Sequence, residues 1–158
     1  MLRSLSIKNI VLIEKLQLDF SSGFTVFSGE TGAGKSIILS SLGLAIGMRA
    51  DFSLLRKGEN EGIVTAEFQI SKDHLAYKKV INHGLFSEGD LILRRVLTKD
   101  GISKAFVNDN LVTANFLKEL GLILVEIHGQ NEKIGLLDSS NHIKILDRYS
   151  KSNDKLLD

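Results

Sequence analysis

The chain has 158 residues, 43% apolar and 25% charged, which suits one soluble globular domain with its own core. Its 20 basic and 19 acidic residues leave a formal charge of +1, so overall charge gives no support for tight nucleic-acid binding. The absence of cysteine excludes disulfides and thiolate metal sites, and no apolar run reaches the roughly 18 to 20 residues of a membrane span.

The N-terminus alternates instead of forming the apolar block of a signal peptide, so a cytoplasmic location is expected. Leu5 and Ile7 alternate with Ser6 and Lys8, and Leu16, Leu18 and Phe20 alternate with Gln17 and Asp19, which predicts two strands with a bend near Asn9. Ser21-Ser22-Gly23 reads as a turn. Residues 24–28 read as a short strand buried on both faces. Ile38, Leu42 and Ala45 recur at helical spacing, predicting a helix over 35–46 that Gly47 closes in a left-handed cap. Residues 49–61 read as a loop.

Val64, Ala66, Phe68 and Ile70 alternate with polar neighbours, as in an antiparallel strand with one wet face. Residues 91–98 and 104–107 read as strands joined by a hairpin at Asp100-Gly101. A second turn is expected at Asn108-Asp109-Asn110. Thr113 is placed to cap a helix through Leu120, with Gly121 closing it. The apolar run 122–127 reads as a strand and 141–149 as a helix. These elements sum to an α/β fold with a buried parallel part and an antiparallel part.

Between the strand at 24–28 and the following helix lies Gly29-Glu30-Thr31-Gly32-Ala33-Gly34-Lys35-Ser36, which matches G-x-x-x-x-G-K-[S/T] throughout. The spacing has a physical logic. Gly29, Gly32 and Gly34 admit backbone angles closed to other residues and allow close approach to phosphates. Successive N–H groups then form an anion nest, which a helix N-terminus reinforces. Lys35 reaches the β- and γ-phosphates, and the Ser36 hydroxyl suits Mg²⁺. The ligand expected is a nucleoside triphosphate. Thr98-Lys99-Asp100-Gly101 is the nearest approach to a guanine-reading element, but its aspartate stands one position early and it reads as a hairpin turn. ATP with Mg²⁺ is therefore favoured.

Hydrolysis also needs a second carboxylate for the metal and a group that orients water. Glu126 lies in the apolar run at 122–127, where it reads as a strand residue facing solvent or a partner. No apolar run ends in an Asp-Glu pair, so the hydrolytic apparatus is incomplete.

The opening Leu5-Ser6-Ile7-Lys8-Asn9-Ile10-Val11-Leu12-Ile13 resembles the first strands of the RecN-type DNA-repair proteins, in the SMC-like branch of the ABC ATPases. The phosphate loop, Leu42-Gly43-Leu44, Gly47-Met48-Arg49-Ala50 and Leu93-Arg94-Arg95-Val96 are similar to that family too. Ile127-His128-Gly129-Gln130, with Leu136-Leu137 beyond it, resembles the family's glutamine loop. Asn131 stands where the family usually has a second histidine. The resemblance implies that Gln130 reaches Mg²⁺ and the attacking water when two heads close on ATP. Read from the residues alone, Gln130 is a polar loop residue, and His128 is as readily structural.

The resemblance also implies a head built from both ends of a longer chain joined by a coiled-coil arm, the other end supplying the signature motif and catalytic glutamate. On that expectation 1–149 is the N-terminal lobe, with mixed parallel and antiparallel sheet, and 150–158 begins the arm. The implied function is ATP binding in recombinational repair of DNA double-strand breaks. The implied partners are the C-terminal lobe, a second head, and DNA through the full assembly, with nucleoid association. A different class of function is a non-hydrolysing assembly or dimerisation module. A small-molecule kinase would need an arginine lid, for which Arg49, Arg56, Arg94 and Arg95 are available, but adjacent strand residues 94 and 95 point to opposite faces.

Overall fold

Apolar side chains at alternate positions need one dry face, and the first strands make it. The computed structural model describes residues 1–29, 34–85 and 89–127. Strand β1 (Leu2–Ile10) buries Leu5, Ile7 and Ile10 almost completely and pairs antiparallel with β2 (Ile13–Asp19). The chain reverses at Val11-Leu12, just past the bend expected near Asn9. Asn9 takes φ 55°, a left-handed conformation that asparagine tolerates better than most residues. Its side-chain amide donates to Glu59 Oε2 and to the Glu61 carbonyl, both at 3.1 Å, which ties the loop 54–61 to β1.

Strands β3 (Glu61–Phe68), β4 (Leu91–Thr98), β5 (Ser103–Val107) and β6 (Asn110–Val112) extend the sheet in the order β2-β1-β3-β4-β5-β6. The dry face continues through Val64, Ala66, Phe68, Leu91, Leu93, Leu97, Ala105 and Val107. The β4–β5 hairpin forms at the predicted place, with Gly101 at φ 76° and its N–H bonded to the Thr98 carbonyl at 3.1 Å. Asn108 and Asp109 both take positive φ in the next turn, as a two-residue hairpin demands, and the short return strand β6 follows.

Helix α1 (Lys35–Ala45) buries Ser41, Gly43, Leu44 and Ala45 and packs on β1, β3 and β4. Gly47 closes it as predicted, at φ 92°. The Met48 N–H bonds to the Gly43 carbonyl at 2.9 Å and the Gly47 N–H to the Leu44 carbonyl at 3.2 Å, which is a Schellman motif. Helix α2 (Leu75–Asn82), opened by His74 Nδ1 accepting from the Ala76 N–H, has no counterpart in the sequence reading.

Helix α3 (Ala114–Leu124) begins at the expected cap, where Thr113 Oγ1 accepts from the Phe116 N–H at 3.1 Å. Thr113→Ala removes that acceptor and is expected to cost about 1 kcal/mol, read as a lower denaturant midpoint at unchanged slope. The helix does not stop at Leu120. Gly121 lies inside it, and residues 122–124 complete the last turn, so the strand expected over 122–127 is corrected. The helical cost of Gly121 is offset by proximity. A Cβ there would stand 2.1 Å from the Ile46 carbonyl oxygen, so only glycine lets α3 close on the end of α1.

Two further expectations change. Residues 24–28 form no strand: Phe24 is 94% and Val26 70% exposed, and no described strand pairs with them. A doubly buried strand needs neighbours at both edges and cover on both faces, and none of the described elements supplies them here. All five strand pairings are antiparallel, so only the antiparallel part of the expected mixed sheet forms among the described residues. The helix expected at 141–149 and the arm expected at 150–158 lie outside those residues. Residues 1–126 pack as one compact unit.

Candidate nucleotide-binding site

A helix leaves its first N–H groups without partners inside the helix, and what stands at that end decides what they can hold. At α1 the capping residue is Gly34, at φ 93° and ψ −7°, with no side-chain oxygen to offer. No acidic residue occupies the first turn, so no carboxylate there offsets the positive end of the helix dipole. The first bond inside the helix runs from the Ile38 N–H to the Gly34 carbonyl at 3.1 Å. Space is open where a Gly34 Cβ would be. The positive φ is what requires glycine there.

Lys35 is the first residue of the helix, and its Nζ donates to the Gly29 carbonyl. That bond joins Gly29 and Lys35, described residues on either side of 30–33. Ser36, in the next position, is exposed. A helix start without a side-chain cap from Gly34, a cation and a hydroxyl form a donor set that fits a nucleotide phosphate with Mg²⁺. Among the described residues no group of three or more His, Asp or Glu side chains could hold a metal by itself. An Mg²⁺ on Ser36 would complete its shell with water and phosphate oxygens, which is how this ion usually binds.

Of the residues expected at the site, Gly29, Gly34, Lys35 and Ser36 are thus brought together at one end of α1. Glu30, Thr31, Gly32 and Ala33 lie outside the described residues, as do His128 and Gln130. Glu126 is exposed in the stretch that follows α3.

Three of the four arginines of the kinase alternative, all but Arg49, are otherwise engaged. Arg56 donates to the Leu12 carbonyl at 2.9 Å. Arg94 pairs with Asp109 at 2.9 Å and lies over the Phe106 ring. Arg95, on the opposite face, is buried with Nε donating to Ser103 Oγ at 2.7 Å, and burial lowers its pKa. No lid is assembled from them.

The residues that hold α1 in place were not legible as functional. Gly47 and Gly121 clasp the far end of the helix against α3. A glycine closing a helix can be read from a sequence; the identity of the backbone packed against it cannot.

The model of the AAA domain family matches residues 4–157 of this chain. The chain belongs to that family. Within it, the chain is 42% identical over 156 residues to the DNA repair protein RecN of Vibrio cholerae, an alignment covering 99% of this chain and 28% of that protein. It is 37% identical over 151 residues to RecN of Bacillus subtilis, covering 95% of this chain and 26% of that one. These relatives bear out the resemblance read from the sequence, and the chain spans little more than a quarter of their length.

Among solved structures, one chain from work on ATP-driven dimerization and DNA-stimulated activation of SMC ATPases superposes with a TM-score of 0.67 at 20% identity. That match covers 96% of this chain and 99% of the other. The SMC head domain from Thermotoga maritima matches with a TM-score of 0.57 at 16% identity, over 75% of this chain and 41% of that one. Likeness at these identities establishes the fold, the α/β P-loop class expected of an SMC-like head. Among the described residues no helix is long and apolar enough to cross a membrane.

Proposed function

We propose that this chain is the ATP-binding N-terminal lobe of a RecN-like ATPase head, acting in recombinational repair of DNA double-strand breaks. The observation that carries the reading is the Lys35 ammonium donating to the Gly29 carbonyl beside a helix start that Gly34 leaves without a side-chain cap. It occurs in a chain 42% identical to a DNA repair protein. In this reading Gly29 to Gly34 cradle the phosphates, Lys35 spans the β- and γ-phosphates, and Ser36 ligates Mg²⁺. Gln130 is assigned to the metal and the attacking water in a closed pair of heads. The lobe extends to residue 149, and 150–158 open a coiled-coil arm.

The reading also gives the chain a partner lobe. Phe24, Val26 and Phe27 are exposed on a segment that no described strand joins, directly before the phosphate loop. A second lobe that supplies neighbouring strands would bury them and extend the sheet in parallel fashion. ATP would then close two such heads, while heads and arms tether DNA. The protein is placed in the cytoplasm, at the nucleoid when acting on DNA.

Calorimetric titration with Mg²⁺-ATP tests the proposal, and saturable one-to-one binding is the expected result. Turnover by a clean preparation should be negligible, because the resemblance assigns the catalytic glutamate to the other end of a longer chain. Steady hydrolysis at a rate above about 1 per second, the low end of ordinary enzymes, would contradict the incomplete-site reading. Absence of nucleotide binding, with retained association to the C-terminal region of a RecN-type protein, would instead favour a purely assembling module.

A further inference from the structure

The wet face of the sheet has an apolar centre with a lysine border on two sides. Register places Lys15, Lys8, Ile63, Val96 and Lys104 in one row across β2, β1, β3, β4 and β5. Ile63 and Val96 are half-buried neighbours in the middle of it, while Lys8 and Lys15 on one side and Lys104 on the other are exposed. The next row adds Phe106 and Leu111, the latter 69% exposed at the sheet edge. Along β3 the same face runs Glu61, Ile63, Thr65, Glu67, so carboxylates close the patch at both ends of that strand.

Lys8 and Lys15 are direct partners across β1 and β2, and like charges so opposed destabilise a sheet. Among the described residues no carboxylate lies within ion-pair distance of Lys8, Lys15 or Lys104. Carboxylates brought from outside would complement these lysines, and apolar side chains would cover what lies between them. The spacing selects the element that can bring both. Lys8 to Lys104 crosses three strand gaps, about 14 Å. An α-helix with its side chains is about 10–12 Å across, so one laid along β3 and β4 fits between the lysines.

We infer that this face docks an acidic amphipathic helix of a partner protein. Its apolar stripe lies on Ile63 and Val96, and its carboxylates face Lys8 and Lys15 on one flank and Lys104 on the other. Glu61 to Glu67 spans about 20 Å of strand, the length of about thirteen helical residues. A polynucleotide fits this pattern less well. Its charges are continuous, one per about 3.4 Å for each strand of a duplex. Laid across the strands it would seat phosphates on Ile63 and Val96, and laid along them it would carry phosphates to Glu61 and Glu67. A helix can place apolar groups over the centre, carboxylates beside the lysines and none at its ends. Helix α1, which bears Lys35, packs on the other face of the sheet, so the inference does not rest on the nucleotide reading.

The test is fluorescence anisotropy with the whole chain, without nucleotide. The probe is a labelled 13-residue peptide with a leucine stripe at helical spacing, glutamates on both flanks of the stripe and alanine elsewhere. A shuffled peptide of the same composition is expected to bind at least tenfold more weakly. Lys8→Glu and Lys104→Glu should each weaken the probe at least fivefold. Val96→Thr, which keeps the shape and adds a hydroxyl, should weaken it at least threefold. Lys72→Glu, an equal charge change in the loop after β3, should alter it by no more than about twofold. The Tm of Lys8→Glu is expected to stay level or rise, because opposite charges then face each other across β1 and β2, which separates lost binding from lost fold. Equal binding of the two peptides, binding of neither, or an equal loss in Lys72→Glu would each overturn the inference. So would a 20-nucleotide oligothymidine that loses affinity by the same factors as the probe in Lys8→Glu, Lys104→Glu and Val96→Thr, since the face would then belong to nucleic acid.

Discussion

Replacing Lys35 by alanine is expected to lower the affinity of the chain for Mg²⁺-ATP about a hundredfold. The ammonium does two things at once. In the proposed site it is the cation that would face the phosphates, and its Nζ also donates to the Gly29 carbonyl. A hydrogen bond to a charged group contributes roughly 1.5–3 kcal/mol, and the upper end applies where several phosphate oxygens share the donor. About 3 kcal/mol corresponds to two decades in the dissociation constant. Fold stability should change by less than about 0.5 kcal/mol, because the bond to Gly29 is exposed. Calorimetry with matched denaturation curves separates the two effects. Equal affinity in the two proteins would remove the phosphate loop from the mechanism. A loss of affinity matched by a loss of folded protein would reassign the lysine to structure.

The elements that could be read in advance are those whose signal is local. Strands β1, β2 and β3 announce themselves because each alternates apolar with polar residues, and β4 and β5 because a strong hairpin turn lies between them. The turns at 100–101 and 108–110 were equally legible, since glycine and asparagine stand where the backbone enters the left-handed region. The phosphate loop was legible because its function is carried by consecutive residues. What failed depended on a partner. Residues 24–28 are apolar in sequence and exposed in the fold, because apolarity records that a segment will be covered and not by what. Residues 122–124 read as strand by composition, yet α3 runs on through them past Gly121, whose place against the Ile46 backbone no local pattern records. Helix α2 escaped notice because it buries only Ala76 and Val80, too few positions to mark a helical period.

The partner-dependent contact with the largest expected effect is at Gly47. Alanine there meets two penalties. The backbone sits at φ 92°, where a side chain costs roughly 1–2 kcal/mol. The new Cβ would also lie 2.3 Å from the Lys118 nitrogen and 2.7 Å from the Leu117 carbonyl carbon. These are backbone atoms of α3, which cannot rotate aside as a side-chain end can. The helix must shift as a body, and Leu117 and Leu120, both fully buried, would lose contacts with it. The sum is expected to reach about 4 kcal/mol, a large share of the 5–15 kcal/mol that holds an ordinary domain together. Gly58→Ala isolates the first penalty. That residue sits at φ 90° with nothing within 4 Å of an added Cβ, so its cost should stop near 1–2 kcal/mol. Denaturant titration of the two variants side by side therefore measures how tightly α1 is clasped to α3. If both cost the same, the clasp carries no energy and α1 owes its position to the sheet alone. If Gly47→Ala costs several kcal/mol more, the far end of the helix that bears Lys35 is anchored by backbone contact. Nucleotide affinity per folded molecule should then fall in Gly47→Ala but not in Gly58→Ala.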